Sequence, residues 1–129
     1  MLAVVENLRP DYLGLAAETN LVRAIAPRPV YDALVRMTRD AARDVRASRA
    51  SRTLPLYISV QVETAWGRLG GQGSYVGIDQ DLRDFPFMTA LGLSSYPYLG
   101  GFSEPDQIPL EYYSRINEKP RLPVLIVEG

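Results

Sequence analysis

Histidine and cysteine are both absent from this chain of 129 residues. Without cysteine, the chain has no disulfide, no thiol nucleophile and no cysteine-based zinc site. Without histidine, it lacks the Ser-His-Asp arrangement, the usual imidazole metal ligands and the commonest general base. Lysine occurs once, as Lys119 in a predicted loop, so Schiff-base chemistry would depend on that residue alone. Chemistry in this chain therefore rests on carboxylates, hydroxyls and arginines, and we expect no cofactor and no metal.

A strong charge of one sign and a long apolar run are also lacking. The formal net charge of −1 gives no reason to expect a nucleic-acid partner or an anionic membrane. No run approaches the ~18 apolar residues that a membrane span requires. Arginines recur between Arg36 and Arg52 at helical spacing with Asp40 and Asp44 among them, which is typical of the solvated face of a helix.

Glutamates follow apolar, strand-like runs at three places in the chain. Glu18 follows residues 13–17, Glu63 follows residues 56–62 and Glu128 follows residues 123–127, while a fourth run ends at Tyr96. Burying an unpaired carboxylate costs several kcal/mol, so these positions make sense where strand ends open into a cleft. Ligands of parallel α/β proteins bind at the carboxyl ends of the strands. The pattern therefore predicts an active-site rim.

Predicted strands and helices alternate along the chain. We expect strands at 12–17, 54–62, 88–95 and from 122, helices at 2–9, from 29, at 79–85 and at 109–116, and loops at 19–29 and 67–78. Two of the three intervals between the strand ends are close to the ~31 residues of one unit in a (β/α)8 barrel, although doubly wound sheets have similar spacing. The leading prediction is an α/β class: a partial (β/α)8 TIM barrel of about four parallel strands with intervening helices. Residues 1–129 would then form a single segment of a larger barrel domain.

The helix that begins at Pro29 is the best supported of these elements. Proline suits a first helical turn. The predicted apolar stripe, at helical spacing, consists of Val30, Ala33, Leu34, Met37, Ala41 and Val45. This stripe should face the core.

Two carboxylates facing each other across a cleft are the minimal apparatus for cleaving a glycosidic bond. One donates a proton to the leaving oxygen, and the other attacks the sugar or activates water. Aromatic residues occur near the same strand ends: Trp66 lies shortly after Glu63, and Tyr96 and Tyr98 flank a proline. Flat aromatic faces suit the apolar faces of pyranose rings, so a carbohydrate substrate is the expected partner.

Three segments carry a family resemblance: Tyr12–Asn20, Ser94–Tyr98 and Pro123–Gly129. They resemble strands four, six and seven of clan A glycoside hydrolases, in particular the arabinogalactan endo-galactanase-like members. The resemblance implies that Glu18 is the acid/base and Glu128 the nucleophile of a retaining enzyme acting on a poly- or oligosaccharide. It also implies that Tyr96 is the tyrosine often found on strand six near the nucleophile.

The sequence departs from the clan pattern beside Glu18. The clan usually has asparagine immediately before the acid/base, whereas Ala17 holds that place here and Asn20 lies two residues after Glu18. Glu63 is therefore an alternative to Glu18. The residues expected to contact substrate are Asn20, Glu63, Trp66, Tyr96 and Tyr98.

Other interpretations remain open from the sequence. The chain could be a non-catalytic carbohydrate-binding relative, with Glu18 merely capping the next helix. It could be a barrel lyase or isomerase that uses Glu18, Glu63 and Glu128 around a divalent cation. It could also be an interaction module in which half-barrels associate with one another through open sheet edges.

Overall fold

The computed structural model describes residues 2–69, 73–119 and 121–129; part of the predicted loop at 67–78 therefore lies outside the described residues. The helices are α1 (Leu2–Leu8), α2 (Thr19–Ile25), α3 (Arg28–Ala47), α4 (Val62–Ala65) and α5 (Asp79–Asp84). The strands are β1 (Leu13–Gly14), β2 (Leu56–Tyr57), β3 (Ser59–Gln61), β4 (Leu91–Ser94) and β5 (Val124–Glu128). Two 3₁₀ turns, Pro97–Gly100 and Pro105–Gln107, lie between β4 and β5. Of the helices in the described ranges, none is long and apolar enough to cross a membrane.

All strand pairs are parallel. One small sheet contains β1 and β2, and a second contains β3, β4 and β5 in that order. The two sheets adjoin at Ile58, the single residue between β2 and β3. Its carbonyl accepts a hydrogen bond from Gly92 N–H at 2.9 Å, and the next residue, Ser59, donates to Ala16 at 2.9 Å. Strands adjacent in the sequence are thus adjacent in space, and the expected α/β class with parallel strands is confirmed.

One face of the strands carries the core. This face carries every second residue from Ile58, just before β3, to Val60, and likewise Leu91 and Leu93 in β4. All four side chains are buried together with Phe85. Side chains from α3 and α5 pack against this cluster. Helices α3 and α5 therefore cover this face, while Ser59, Gln61 and Ser94 are buried on the other face of β3 and β4.

The opposite face of the strands is built from small residues around one aromatic ring. A Cβ at Gly14 would lie 2.7 Å from the ring of Tyr57, and a Cβ at Gly92 would lie 2.9 Å from it. Ser59 lies on the same face, because its Cβ is also beside Gly92. The two glycines thus leave the space that the Tyr57 ring occupies.

Several predicted elements differ from the observed ones. The strands are shorter than expected, and the loop predicted at 19–29 contains helix α2. Glu63 does not end a strand: it lies in the first turn of α4, because the Gln61 side chain accepts a hydrogen bond from Thr64 N–H and caps that helix. Residues 109–116 form successive turns rather than the predicted helix, with bonds of three-residue spacing such as Tyr112 N–H to the Pro109 carbonyl.

Helix α3 is confirmed, but its buried stripe is rotated by one residue. Val30 and Met37 are 53% and 66% exposed. The buried positions are Tyr31, Thr38, Ala42 and Val45. Two polar residues enter the core because their hydroxyls have partners: Tyr31 donates to Asp84 at 2.8 Å, and Thr38 donates to the Leu34 carbonyl at 2.7 Å.

Acid should weaken the contact between α3 and α5. Burial alone would raise the pKa of Asp84, but hydrogen bonds from Gln80 and Tyr31 and the charges of Arg39 and Arg23 outweigh it and lower the pKa. A lowered folded-state pKa stabilises the protein above the unfolded value of ~3.9, and this stability is lost as the pH falls through the folded value. We expect the free energy of unfolding to fall from about pH 5 to pH 3, and to fall less in Tyr31→Phe.

Urea unfolding at a series of pH values measures this difference. Tyr12→Phe, at an exposed position, is the matched control and should keep the wild-type pH dependence. An equal acid-induced loss in Tyr31→Phe and in the wild type would contradict the assignment.

Candidate functional site

Ser94, at the end of β4, links two of the predicted glutamates. Its hydroxyl donates to Glu18 Oε1 at 2.7 Å and lies 3.5 Å from Glu128 Oε2. The two carboxylate oxygens are therefore no farther apart than the sum of these distances. Glu18 follows β1 and Glu128 ends β5, so both lie at the carboxyl ends of parallel strands.

A bulge in β5 places Glu128 at this position. Leu93 pairs with Ile126, but the next residue, Ser94, pairs with Glu128 rather than with Val127. A bulge shifts a strand by one residue and so changes which side chains share a face. Glu128 is thereby brought beside Ser94.

The backbone of Glu18 adopts a left-handed conformation, with φ 47° and ψ 44°. This conformation is costly for a non-glycine residue. Glu18 holds the N-cap position of α2, yet its side chain makes no capping hydrogen bond; instead its backbone N–H donates to Ser59 Oγ at 3.0 Å. The carboxylate is thus free of a capping role and turns to Ser94.

Tyr96 completes the group around the two carboxylates. Its hydroxyl donates to Glu128 Oε2 at 3.3 Å. Desolvation and the nearby charges of Glu128 and Glu18 raise the pKa of Tyr96, so the phenol keeps its proton and remains a donor. Tyr98 lies edge-on to Tyr96, with ring centroids 6.1 Å apart, and is 67% exposed.

A groove borders this group on the open face of the strands. It has a volume of about 360 Å³ and runs along Gly14, Ala17, Tyr57 and Val127 to Glu128. The exposed Glu128 lines the groove, and the half-buried Glu18 lies next to it through Ser94.

Glu63 lies inside the protein, with 0% of its surface exposed. Its Oε1 accepts hydrogen bonds from Tyr112 OH at 3.0 Å and Ser95 Oγ at 3.1 Å. Its Oε2 accepts from Tyr96 N–H at 3.1 Å and from the Gln61 side chain. Glu63 thus fixes the backbone of Tyr96 through a hydrogen bond and has no contact with solvent. The structure therefore does not place Glu63 on the predicted active-site rim.

Asn20 is also buried, with 2% exposure. Its Nδ2 donates to the Gln61 carbonyl at 2.8 Å, and its Oδ1 accepts from Gln61 N–H at 2.7 Å. Both polar atoms of the amide therefore join α2 to β3, and neither faces the groove.

Trp66 lies apart from the carboxylate pair. Its ring stacks on Tyr112 with centroids 5.3 Å apart, and the Arg115 guanidinium lies over it at 5.1 Å. Its Nε1 donates to the Tyr112 carbonyl at 2.9 Å. Of the residues expected to contact substrate, Tyr96 contacts Glu128, and Tyr98 adjoins this group through the Tyr96 ring.

Two residues of this site were missed from the sequence. Ser94 joins the two carboxylates, and Ser59 fixes the backbone of Glu18. The available signal was a serine on the same face of each of two neighbouring strands. A hydroxyl in such a strand needs a partner when buried.

Comparison with protein-family models, curated proteins and solved structures returned no match. Within residues 2–69, 73–119 and 121–129, no three acidic side chains lie close enough together to hold a metal ion. Two carboxylates joined by a hydroxyl and faced by a protonated phenol are equipped for proton transfer and for nucleophilic attack.

Replacement of Glu63 should show how much stability its buried hydrogen bonds provide. Glu63→Leu removes the acceptor of four donors, of which only Ser95 Oγ has another partner, the Tyr113 hydroxyl, and we expect the free energy of unfolding to fall by about 3–5 kcal/mol. Glu63→Gln keeps one acceptor oxygen, and the two hydroxyl donors can rotate to accept from its amide, so the loss should be about 1–2 kcal/mol.

Urea unfolding followed by tryptophan fluorescence measures both losses. Glu111→Leu, at an exposed position, should change stability by less than about 0.5 kcal/mol. A Glu63→Leu protein as stable as this control would show that the buried carboxylate is not needed for the fold.

Proposed function

We propose that Glu18 and Glu128 are the working pair of a retaining glycoside hydrolase. The observation that carries the proposal is the Ser94 hydroxyl, which lies 2.7 Å from one carboxylate and 3.5 Å from the other. The sum of these distances is an upper limit for one pair of carboxylate oxygens, and it admits the ~5–5.5 Å separation of the carboxyl groups in retaining enzymes.

In this proposal Glu128 is the nucleophile and Glu18 the acid/base. A Glu128 oxygen bonds to the anomeric carbon while the glycosidic C–O bond breaks, and the leaving oxygen takes the proton of Glu18. Water then attacks the same carbon, Glu18 takes a proton from that water, and the ester bond to Glu128 breaks. The anomeric configuration is retained after two inversions.

The surroundings of each carboxylate suit these roles. Glu128 is exposed and borders the groove. It accepts a hydrogen bond from Tyr96, which orients the carboxylate for attack on the anomeric carbon. Glu18 is half-buried, and Ser94 Oγ and the left-handed backbone fix its direction. The groove on the side of Gly14 and Tyr57 would receive the sugar.

The order of the strands supports the finer fold proposal, a segment of a (β/α)8 barrel containing strands four to seven. Strands adjacent in sequence are adjacent in space, and helices pack on one face. A doubly wound sheet instead reverses its strand order at a switch point and has helices on both faces. In the barrel, the face with Tyr57 would be the interior.

Removal of either carboxylate should abolish turnover. We expect Glu18→Gln and Glu128→Gln to lower the rate of reducing-sugar release from β-linked galactan by at least about 10³-fold, because each removes a group that acts in the transition state. The matched control is Glu111→Gln, which changes an exposed glutamate outside the groove lining. Nuclear magnetic resonance of the first product should show the substrate's anomeric configuration.

Two results would contradict the assignment. Wild-type turnover in either variant would remove that residue from the mechanism, and an inverted product would contradict the two-step reaction. Binding of saccharide without any release of reducing sugar by the unmodified protein would favour the non-catalytic carbohydrate-binding alternative.

A further inference from the structure

A second cavity lies at the end of the 3₁₀ turn Pro97–Gly100, whose beginning adjoins the carboxylate pair. Tyr96, just before this turn, contacts Glu128, whereas Gly100, at its end, lines the cavity. The volume is about 700 Å³. The lining includes Trp66, Arg68, Ser74, Tyr75, Gly100 and Arg115.

Arg115 is held in the cavity by aromatic rings rather than by an acid. Its guanidinium carbon lies 4.3 Å from the centroid of the Tyr75 ring and 5.1 Å from that of Trp66. Across the described residues, its side chain forms no ion pair and donates no hydrogen bond. Stacking of this kind orients the guanidinium and leaves its N–H edge available to a ligand.

Arg68 is oriented in a similar way. Its guanidinium lies over the Phe102 ring at 4.2 Å, and one nitrogen, Nη1, donates to the Gly100 carbonyl at 2.6 Å. A guanidinium has five N–H donors, so most of those on Arg68 remain for a ligand. Glu63, whose side chain lies beside Gly100, is no partner for it, because Glu63 already accepts four hydrogen bonds.

Two oriented guanidiniums in one cavity fit a planar or tetrahedral oxyanion. Arginine forks bind carboxylates and phosphate-like groups through paired hydrogen bonds, and pre-oriented side chains lose less entropy on binding. The cavity is also large enough for a sugar residue.

We propose that this cavity binds an anionic group, a carboxylate or a sulfate ester, on a sugar residue of the substrate. The inference rests on the proposed glycosidase function and deepens it, because it names the substrate class as an acidic saccharide. The anionic group binds between Arg68 and Arg115, and the saccharide extends along the turn Pro97–Gly100 to the carboxylate pair.

Trp66 provides a direct readout, since it is the one tryptophan of the chain and lines the cavity. Its fluorescence is titrated with three probes of equal length: a galacturonate trisaccharide, a sulfated galactan trisaccharide and a neutral galactan trisaccharide. We expect at least one acidic probe to bind about tenfold or more tightly than the neutral one, and its affinity to fall as salt rises from about 20 mM to 500 mM. The acidic probe that binds more tightly shows whether the preferred anionic group is a carboxylate or a sulfate ester.

Variants locate the binding. Arg115→Gln and Arg68→Gln should each weaken binding of that acidic probe about tenfold or more, since each removes charged donors. Arg36→Gln, which alters an exposed arginine on α3 outside the cavity lining, is the matched control and should bind like the wild type. Equal binding of acidic and neutral probes, or wild-type affinity in both cavity variants, would overturn the inference.

The two proposals can fail separately, because fluorescence binding needs no turnover. Hydrolysis of neutral galactan with no preference for acidic probes would reject the anion site and leave the glycosidase intact. If an acidic probe binds in an arginine-dependent way, but neither the three trisaccharides nor β-linked galactan is hydrolysed, the anion site is retained and the glycosidase function is rejected.

Discussion

The carboxylate of Glu63 is enclosed by protein, and no cation of the described residues pairs with it. An enclosed carboxylate must be compensated by donors, and here they come from the cap of α4, the end of β4 and the turns near Tyr112. These segments are distant in the sequence, so the requirement of one side chain fixes their relative positions. The backbone of Tyr96, and hence the phenol that faces Glu128, depends on that arrangement.

The turn Pro97–Gly100 connects two chemically different places. Tyr96, just before the turn, contacts Glu128, and Gly100, at its end, lines the cavity that contains Arg68 and Arg115. The end of the turn is held by Arg68, which donates a hydrogen bond to the Gly100 carbonyl. A saccharide bridging both spaces would place its reacting bond and its anionic group in fixed relation.

The sequence predicts an element correctly where its hydrophobic pattern repeats or where a helix end carries its own signal. Helix α3 follows from a proline in its first turn and from its period, and the parallel strands follow from alternating elements. The pattern misplaced the buried stripe because it counts apolar residues, whereas Tyr31 and Thr38 are buried through hydrogen bonds. Whether a polar residue finds a partner depends on distant parts of the chain.

The same limit applies to the site. Glu18, Glu128 and Tyr96 were expected together because each follows a strand, and they do lie together. Asn20 and Glu63 are near them in the sequence pattern but are enclosed by partners that no local motif specifies. The bulge that brings Glu128 beside Ser94 is a property of strand pairing and has no separate sequence signal.

Gly14, Tyr57 and Gly92 form a single steric unit, since the ring of Tyr57 fills the space that either glycine's Cβ would enter. A side chain at either glycine is compatible with the fold only if the ring becomes smaller or moves, and a smaller residue at 57 removes this obstacle at both positions at once, leaving Ser59 as the remaining close neighbour of position 92. The three positions are therefore constrained as a group during evolution. Among related sequences they should covary, with larger residues at 14 and 92 appearing where the aromatic ring at 57 has been lost.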